Sequence, residues 1–365
     1  MSITYGEYVV KLAKADLCKT QSRGSHGKNY VNKYNLYFAG HGGIDSKGHM
    51  PRPYGYVPGH CTNGRNYTYV KAGLEAYVPV TKMAERGAGY FWNAHQQWDY
   101  WKKYHKSWCT TDPHKAVKGA TAYKGQKKRG KLTTPTHTCI FIKAEGDYVW
   151  TVDFNVGDGK GHNNGTVHKR HKSYFNGFVN FPKLTKKIPE DKIALWPMTN
   201  HRVSCKYNQG AAHIACSTGK PCDYPTDLVG KDSGRSWAVN RFGSKMIVLR
   251  RYTAASHAIW MRTLNKVFTP SGYGYLYVMS EHQDNNEMKA VGKKYAIGEK
   301  MFREAANGNA TGNHLHMSFA FSMNKKLTSK TMGSGWKKNS KKAWVLKLPN
   351  VTNIKIGEAL FSKKP

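Results

Sequence analysis

The sequence predicts an α+β chain of two domains, and three observations predict it. Strand-like runs recur through both halves, while helix-like runs are few. The 365 residues suffice for two cores of ordinary size. A connection rich in Pro and Lys divides them.

The strand-like runs are "HTCIFIKA", "DYVWTVDF", "KMIVLRRY", "GYLYVMS", "HLHMSFAF" and "AWVLKL", short stretches of β-branched and aromatic residues. The dividing stretch "FNGFVNFPKLTKKIPEDKIALWP" carries Pro182, Pro189 and Pro197 with Lys183, Lys186 and Lys187. It places the boundary at 187, giving domains 1–187 and 188–365. The opening "MSITYGEYVVKLAKADL" reads as a first helix with Tyr8, Val9, Leu12 and Leu17 roughly on one side. It lacks the apolar core and cleavage site of a signal peptide, so the expectation is that something else carries the chain to any site outside a cell. "RNYTYVKAGLEAY" is a plausible second helix, and "MKAVGKKYAIG" is ambiguous. No internal repeat or low-complexity tract is visible.

Lys and Arg number 58 against 22 Asp and Glu, a formal net charge of +36. A bias of that size says little about fold. It points to a polyanionic partner: nucleic acid, an acidic membrane surface or an anionic cell-wall polymer. The 23 Tyr, 10 Trp and 36 Gly suit a β-rich, loop-rich protein with aromatic binding surfaces. No stretch approaches the roughly 20 apolar residues that span a bilayer. Seven cysteines (Cys18, Cys61, Cys109, Cys139, Cys205, Cys216 and Cys222) are too scattered for a disulfide scaffold, and no C-x-x-C pair suggests a zinc ribbon. Their odd number leaves a free thiol, so a nucleophilic cysteine is worth seeking.

The first half offers one. A thiol hydrolase needs a Cys at a helix N-terminus, where the dipole favours thiolate, and a His to exchange its proton. Cys61 precedes the second helix and His137 begins a strand. Asp153 and Asn155 lie two apart on the next strand, facing one way, and supply the third group that orients an imidazole. Cys139 is most simply a core residue, and Cys109 is a poorer nucleophile because Pro113 follows so soon.

The second half holds "TGNHLHMS", in which strand periodicity puts His314 and His316 on one face with Ser318. Alone, H-x-H can line a polar surface as readily as bind a metal. Upstream lie His213, Asp227 with Asp223 nearby, and His282. Two His and a carboxylate form the protein ligand set of many catalytic zinc sites. Further histidines can then move protons or stabilise an oxyanion.

Residues 200–360 resemble the lysostaphin-type zinc endopeptidases of peptidoglycan, through "H…DLVGKDSG", "SKMIVLRRY", the "EH" of His282, "VGKKYAIGE" and "TGNHLHMS". The resemblance implies a mainly antiparallel β domain in which His213, Asp227 and His316 hold Zn2+. It makes His282 and His314 the catalytic partners flanking the scissile carbonyl. The gap from His213 to Asp227 is longer than in that family and contains Cys216 and Cys222. Asp223 is therefore a rival ligand; Asp227 is preferred because "DLVGKDSG" reads like the family's strand and turn. Cys216 and Cys222 either close a small disulfide loop or are ordinary thiols.

The first half resembles the CHAP domain family, papain-like amidohydrolases and peptidases of peptidoglycan. The matching stretches are "HCTNGRNYTYVKAG", "HTCIFIK", "DYVWTVDFN" and "YFNGFVNFP". It implies Cys61 as nucleophile, His137 as base, and Asp153 with Asn155 as the orienting pair. His60 replaces the aromatic that often precedes the nucleophile, and Asp stands where Glu is usual. A degenerate domain kept for binding alone is the other reading of this half.

Two such resemblances in one chain imply a peptidoglycan hydrolase, its cationic surface drawn to the anionic polymers of Gram-positive walls. The expected setting is a phage endolysin released by a holin from the host cytoplasm, or a lysin in the virion tail beside other tail proteins. The competing reading is a basic nucleic-acid-binding or structural virion protein without catalysis.

Overall fold

The structure is a computed structural model. It describes residues 3–15, 60–78, 94–157, 163–198, 201–205, 226–231, 236–253, 257–308, 310, 312–323, 336–338, 344–346 and 352–353. These are mostly antiparallel β with few helices. The chain separates into two compact units, Ile3–Lys187 and the residues from Ile188 onward.

The first unit opens with α1, Tyr5–Ala15. A reciprocal cap starts it: the Thr4 amide donates to Glu7 Oε2 at 2.9 Å and the Glu7 amide to Thr4 Oγ1 at 3.2 Å. Tyr8, Val9 and Leu12 point inward as the sequence pattern expects, and Leu17 lies outside the described residues. Helix α2, His60–Lys71, begins earlier than "RNYTYVKAGLEAY" suggested and ends at Gly73, whose φ of +76° a side chain would resist. Helix α3 covers Ala94–Tyr104.

Strands β1 (Cys109–Thr110), β2 (Thr121–Lys124), β5 (His137–Glu145), β6 (Tyr148–Gly157), β7 (Asn163–His171) and β8 (Phe175–Val179) form one antiparallel sheet. Its order is β1-β8-β2-β5-β6-β7. A small hairpin, β3 (Lys127–Lys128) with β4 (Lys131–Leu132), stands apart from it. Helix α2 packs on β5 and β6 at very short range. A Cβ added at Gly64 would sit 2.5 Å from the Phe154 ring, so only glycine lets the helix come so close.

The second unit is built on a nine-stranded antiparallel sheet. Its strands are β9 (His201–Cys205), β10 (Thr226–Gly230), β12 (Met246–Tyr252), β13 (Ala258–Thr263), β14 (Val267–Thr269), β15 (Gly272–Glu281), β16 (Lys294–Tyr295), β18 (Leu315–Ser322) and β21 (Thr352–Asn353). The main path runs β16-β12-β13-β15-β18-β10-β9, with β14 on β15 and β21 on β18. Strand β11 (Trp237–Val239) pairs with β17 (Lys300–Arg303), and β19 (Trp336–Lys338) with β20 (Trp344–Leu346).

Alternation along β18 explains the placement of its histidines. Leu315, Met317, Phe319 and Phe321 enter the main core with Leu228, Val248 and Val278. That turns His314, His316 and Ser318 to the opposite face. The ambiguous run "MKAVGKKYAIG" forms no helix, because Gly292 and Gly298 sit at φ +83° and +81° and turn the chain. Among the described residues no helix is long and apolar enough to cross a membrane.

Candidate active sites

In the first unit, three elements bring three side chains together. Cys61 is the second residue of α2, His137 the first of β5, and Asp153 lies on β6. His137 Nε2 and Asp153 Oδ2 are 2.9 Å apart. The same imidazole acts on the Cys61 sulfur, whose charge it favours. Asp153 is fully buried and is held by more than His137. Arg170 Nη1 lies 2.9 Å from its Oδ2, and the Thr151 hydroxyl donates to its Oδ1. Arg170 also donates to Thr151 at 3.3 Å, so the carboxylate is clamped from two sides.

Burial by itself would raise the Cys61 thiol, but the charge of His137 and hydrogen bonds from His137, Thr138 and Thr62 bring it down to about 6. Burial works the other way on His137. The Cys61 charge and the bond to Asp153 overcome it and raise the imidazole to about 9. Burial opposes the Asp153 charge too, yet His137, Arg170 and Thr151 hold its carboxyl well below the usual range. The pair is therefore a thiolate facing an imidazolium between these two values. Alkylation of Cys61 by iodoacetamide is expected to be nearly constant from pH 7 to 8.5 and to fall as pH drops below about 6. Rates that climb tenfold per pH unit up to pH 8.5 would show an ordinary thiol.

Cys139 is opposite Asp153 in the sheet, and the ligand atoms of His137, Cys139 and Asp153 lie within 4.8 Å of one another. Those donor types could hold a metal ion. Here each is already engaged: Arg170 and His137 take Asp153 Oδ2, and the Cys139 thiol donates to the Ala122 carbonyl at 3.7 Å. Burial and the Asp153 charge push that thiol far up, which keeps it protonated. Cys109 donates to the His105 carbonyl, and burial raises it to about 11, so it is a poor nucleophile. The side chains of His60 and Asn155 lie outside the described residues.

In the second unit, antiparallel pairing sets Asp227 of β10 directly opposite His316 of β18, and His316 opposite Glu281 of β15. Opposed residues share a face, so the three form a row across the sheet. Asp227 Oδ1 is 3.0 Å from His316 Nδ1 and 3.7 Å from His314 Nε2. The His282 ring lies 4.8 Å from that of His314 and 5.8 Å from that of His316, centre to centre. His282 reaches this place from a backbone at φ +69°, a conformation His tolerates better than most residues.

Two backbone carbonyls fix the outer imidazoles. His282 Nδ1 is 2.6 Å from the Asn307 oxygen, and His314 Nδ1 is 2.8 Å from the Gly312 oxygen. A carbonyl only accepts, so each Nδ1 carries the hydrogen and each Nε2 keeps its lone pair. Burial, opposed by the Asn307 carbonyl and helped by the two neighbouring histidines, lowers His282 to about 4. Glu304 steadies the strand beneath: its carboxylate, 1% exposed, accepts from the amides of Gly230 at 2.9 Å and Ser236 at 3.1 Å. His213, Asp223, Cys216 and Cys222 lie outside the described residues.

The sequence did not point to Arg170, Thr151, Glu281 or Glu304. Strand register places Arg170 and Glu281, and register is not written in local sequence; Thr151 shares a face with Asp153 two residues along the same strand. Burial pushes the Glu281 carboxyl up, against the pull of His316.

No family model matches the chain, and no curated protein does. Among solved structures it is similar to a mutant catalytic domain of the prophage-encoded M23 protein EnpA from Enterococcus faecalis. The identity is 14% over 39% of this chain and 98% of that one, with a TM-score of 0.25. It is similar to a zinc-containing peptidase from Vibrio cholerae at 13% identity, over 47% of this chain and 52% of that one, TM-score 0.26. A third likeness is to the catalytic domain of the antimicrobial peptidase lysostaphin from Staphylococcus simulans. It has 12% identity over 32% of this chain and 76% of that one, TM-score 0.20. At such low identity and superposition these remain likenesses, and the chemistry rests on the side chains described above.

Proposed function

We propose that the chain is a peptidoglycan hydrolase with two independent amide-cleaving sites, a Cys–His site in residues 1–187 and a zinc site in residues 188–365. The observation that carries it is the convergence of Asp227, His282, His314 and His316, far apart in sequence, on one sheet face.

At the first site the Cys61 thiolate adds to the carbonyl carbon of a wall amide, forming the C–S bond. The His137 imidazolium passes its proton to the leaving nitrogen as the C–N bond breaks. Water then attacks the thioester, His137 takes its proton, and the acid leaves with Cys61 restored. Asp153, fixed by Arg170 and Thr151, holds the imidazole in register throughout.

At the second site the donor set fits a zinc ion. The two donor atoms of Asp227 and His316 face each other at 3.0 Å. Ligands at usual zinc distances are separated by roughly 3.3 Å around a tetrahedron. His213, Asp227 and His316 would hold it. When bound, zinc supplies a water of lowered pKa and polarises the substrate carbonyl. His282 and His314, with Nδ1 pinned, present Nε2 to take a proton, and a ring protonated there can donate to the developing oxyanion.

The charge has a place in this reading. With +36 on the chain, binding to native walls is expected to weaken steeply with salt, since the Debye length falls from about 8 Å at physiological salt to about 3 Å at 1 M. Cleavage of a short neutral stem peptide should change little. Sedimentation with native and teichoic-acid-stripped walls across a salt series checks it; equal, salt-independent binding to both would contradict it.

Loss of turbidity of purified walls, beside a DNA gel shift, tests the function itself. Tight DNA binding without wall clearance would favour a basic nucleic-acid-binding or structural virion protein. Whether the chain acts as a released endolysin or in a virion tail is decided by probing purified particles for it.

A further inference from the structure

The far end of the first unit's sheet carries a surface that neither site uses. Pairing of β5, β6 and β7 sets Lys143, Trp150 and Lys169 in one row and Glu145, Tyr148 and His171 in the next. The lysines rest on the rings. Lys143 Nζ lies 4.8 Å from the Trp150 centroid, and Lys169 Nζ lies 5.1 Å from Trp150 and 4.4 Å from Tyr148. Each contact holds a flexible ammonium in place at modest energy; Lys143 also reaches Glu145, while exposed Lys169 keeps its hydrogens open to solvent. The face is exposed: Tyr148 is 44% and Val167 42% accessible.

Three lysines, Lys143, Lys169 and Lys172, stand against two exposed carboxylates here. Besides buried Asp153, the described carboxylates of β5 to β7 and their turn are Glu145 and Asp147. The first pairs with Lys143 and the second with Lys172, at 2.8 Å. Lys169 has no carboxylate partner among the described residues. Ammonium groups fixed side by side across neighbouring strands match a polymer with repeated negative charges better than a single small anion.

The rings also discriminate between polyanions. Proteins that bind single-stranded nucleic acid stack bases on open aromatic faces. Trp150 has ammonium groups of both Lys143 and Lys169 against its ring, and Tyr148 has that of Lys169. These rings serve as rests for lysine, and a base would have to displace it. A chain of phosphodiesters joined by polyols needs no stacking.

We propose that this face is a docking surface for a polyol-phosphate polymer of the teichoic-acid kind, which tethers the enzyme to the wall. The inference rests on the wall-hydrolase reading for its biological sense, but its test does not depend on catalysis.

The test compares two full-length triple variants that remove equal charge. Lys143→Gln with Lys169→Gln and Lys172→Gln is expected to weaken binding of purified poly(glycerol phosphate) at least about tenfold at physiological salt. Lys102→Gln with Lys103→Gln and Lys106→Gln, on and just after α3, should stay within about twofold of the parent. Trp150→Ala should also weaken binding, because its lysines lose their support. Circular dichroism confirms folding, and cleavage of a soluble neutral stem peptide should be the same in all. Stem-peptide cleavage absent from every protein, parent included, would sink the hydrolase reading and leave the docking result standing. Equal losses in the two triple variants would overturn the proposal in favour of diffuse charge. Parent binding to oligothymidylate more tightly than to the polymer would overturn it in favour of nucleic acid.

Discussion

Cys61→Ser in the full chain is expected to lower the chelator-resistant cleavage of walls by at least about a thousandfold, with zinc content unchanged. The size follows from what the sulfur does. It is already a thiolate at neutral pH, held at about 6 against its own burial by His137 and three neighbouring hydrogen bonds. A serine hydroxyl in the same place stays protonated and forms no such ion pair. Asp153→Asn is expected to cost less, roughly ten- to a hundredfold, because it removes the charge that orients His137 but not the nucleophile. It should also narrow the pH range of activity, since His137, now raised to about 9 partly through Asp153, would lose its proton at lower pH. A Cys61→Ser protein that digests walls in chelator as fast as its parent would remove the first site from the account.

His316→Ala is expected to abolish both zinc binding and chelator-sensitive cleavage, whereas His314→Ala keeps the metal and loses activity by about a hundredfold or more. The contrast comes from geometry. His316 is opposite Asp227, its Nδ1 3.0 Å from the carboxylate; His314 is tied by Nδ1 to the Gly312 carbonyl and approaches Asp227 only to 3.7 Å. Metal analysis by mass spectrometry reads the first outcome and peptide cleavage the second. Full metal and full activity in both variants would mean the cluster is not a metal centre. Asp227→Asn against Asp223→Asn, compared for zinc, decides between the carboxylates.

Much of this was legible because strands announce themselves locally. "HTCIFIKA", "DYVWTVDF" and "HLHMSFAF" alternate or run apolar over strand lengths, and they are β5, β6 and β18. The side on which His314 and His316 lie followed from the same alternation. Helix α2 was legible only in part. It is buried nearly all round and has no apolar stripe, so its start at His60 could not be read from periodicity. "MKAVGKKYAIG" misleads because its apolar spacing suits a helix while Gly292 and Gly298 turn the chain. What stayed hidden were partners fixed by register. Arg170 meets Asp153 because β7 lies beside β6, and Glu281 meets His316 because β15 lies beside β18. Neither pairing leaves a mark in its own stretch of sequence.

The central claim, two independent amide-cleaving sites for peptidoglycan in one chain, meets its most direct test in the fragments released from purified Gram-positive walls. Mass spectrometry of digests by the parent, Cys61→Ser, His316→Ala and the double variant reads every new amine end. The account predicts two classes of cut bond in the parent, one lost in each single variant and both lost in the double. A double variant that still cuts, or two single variants that lose the same class, would contradict it.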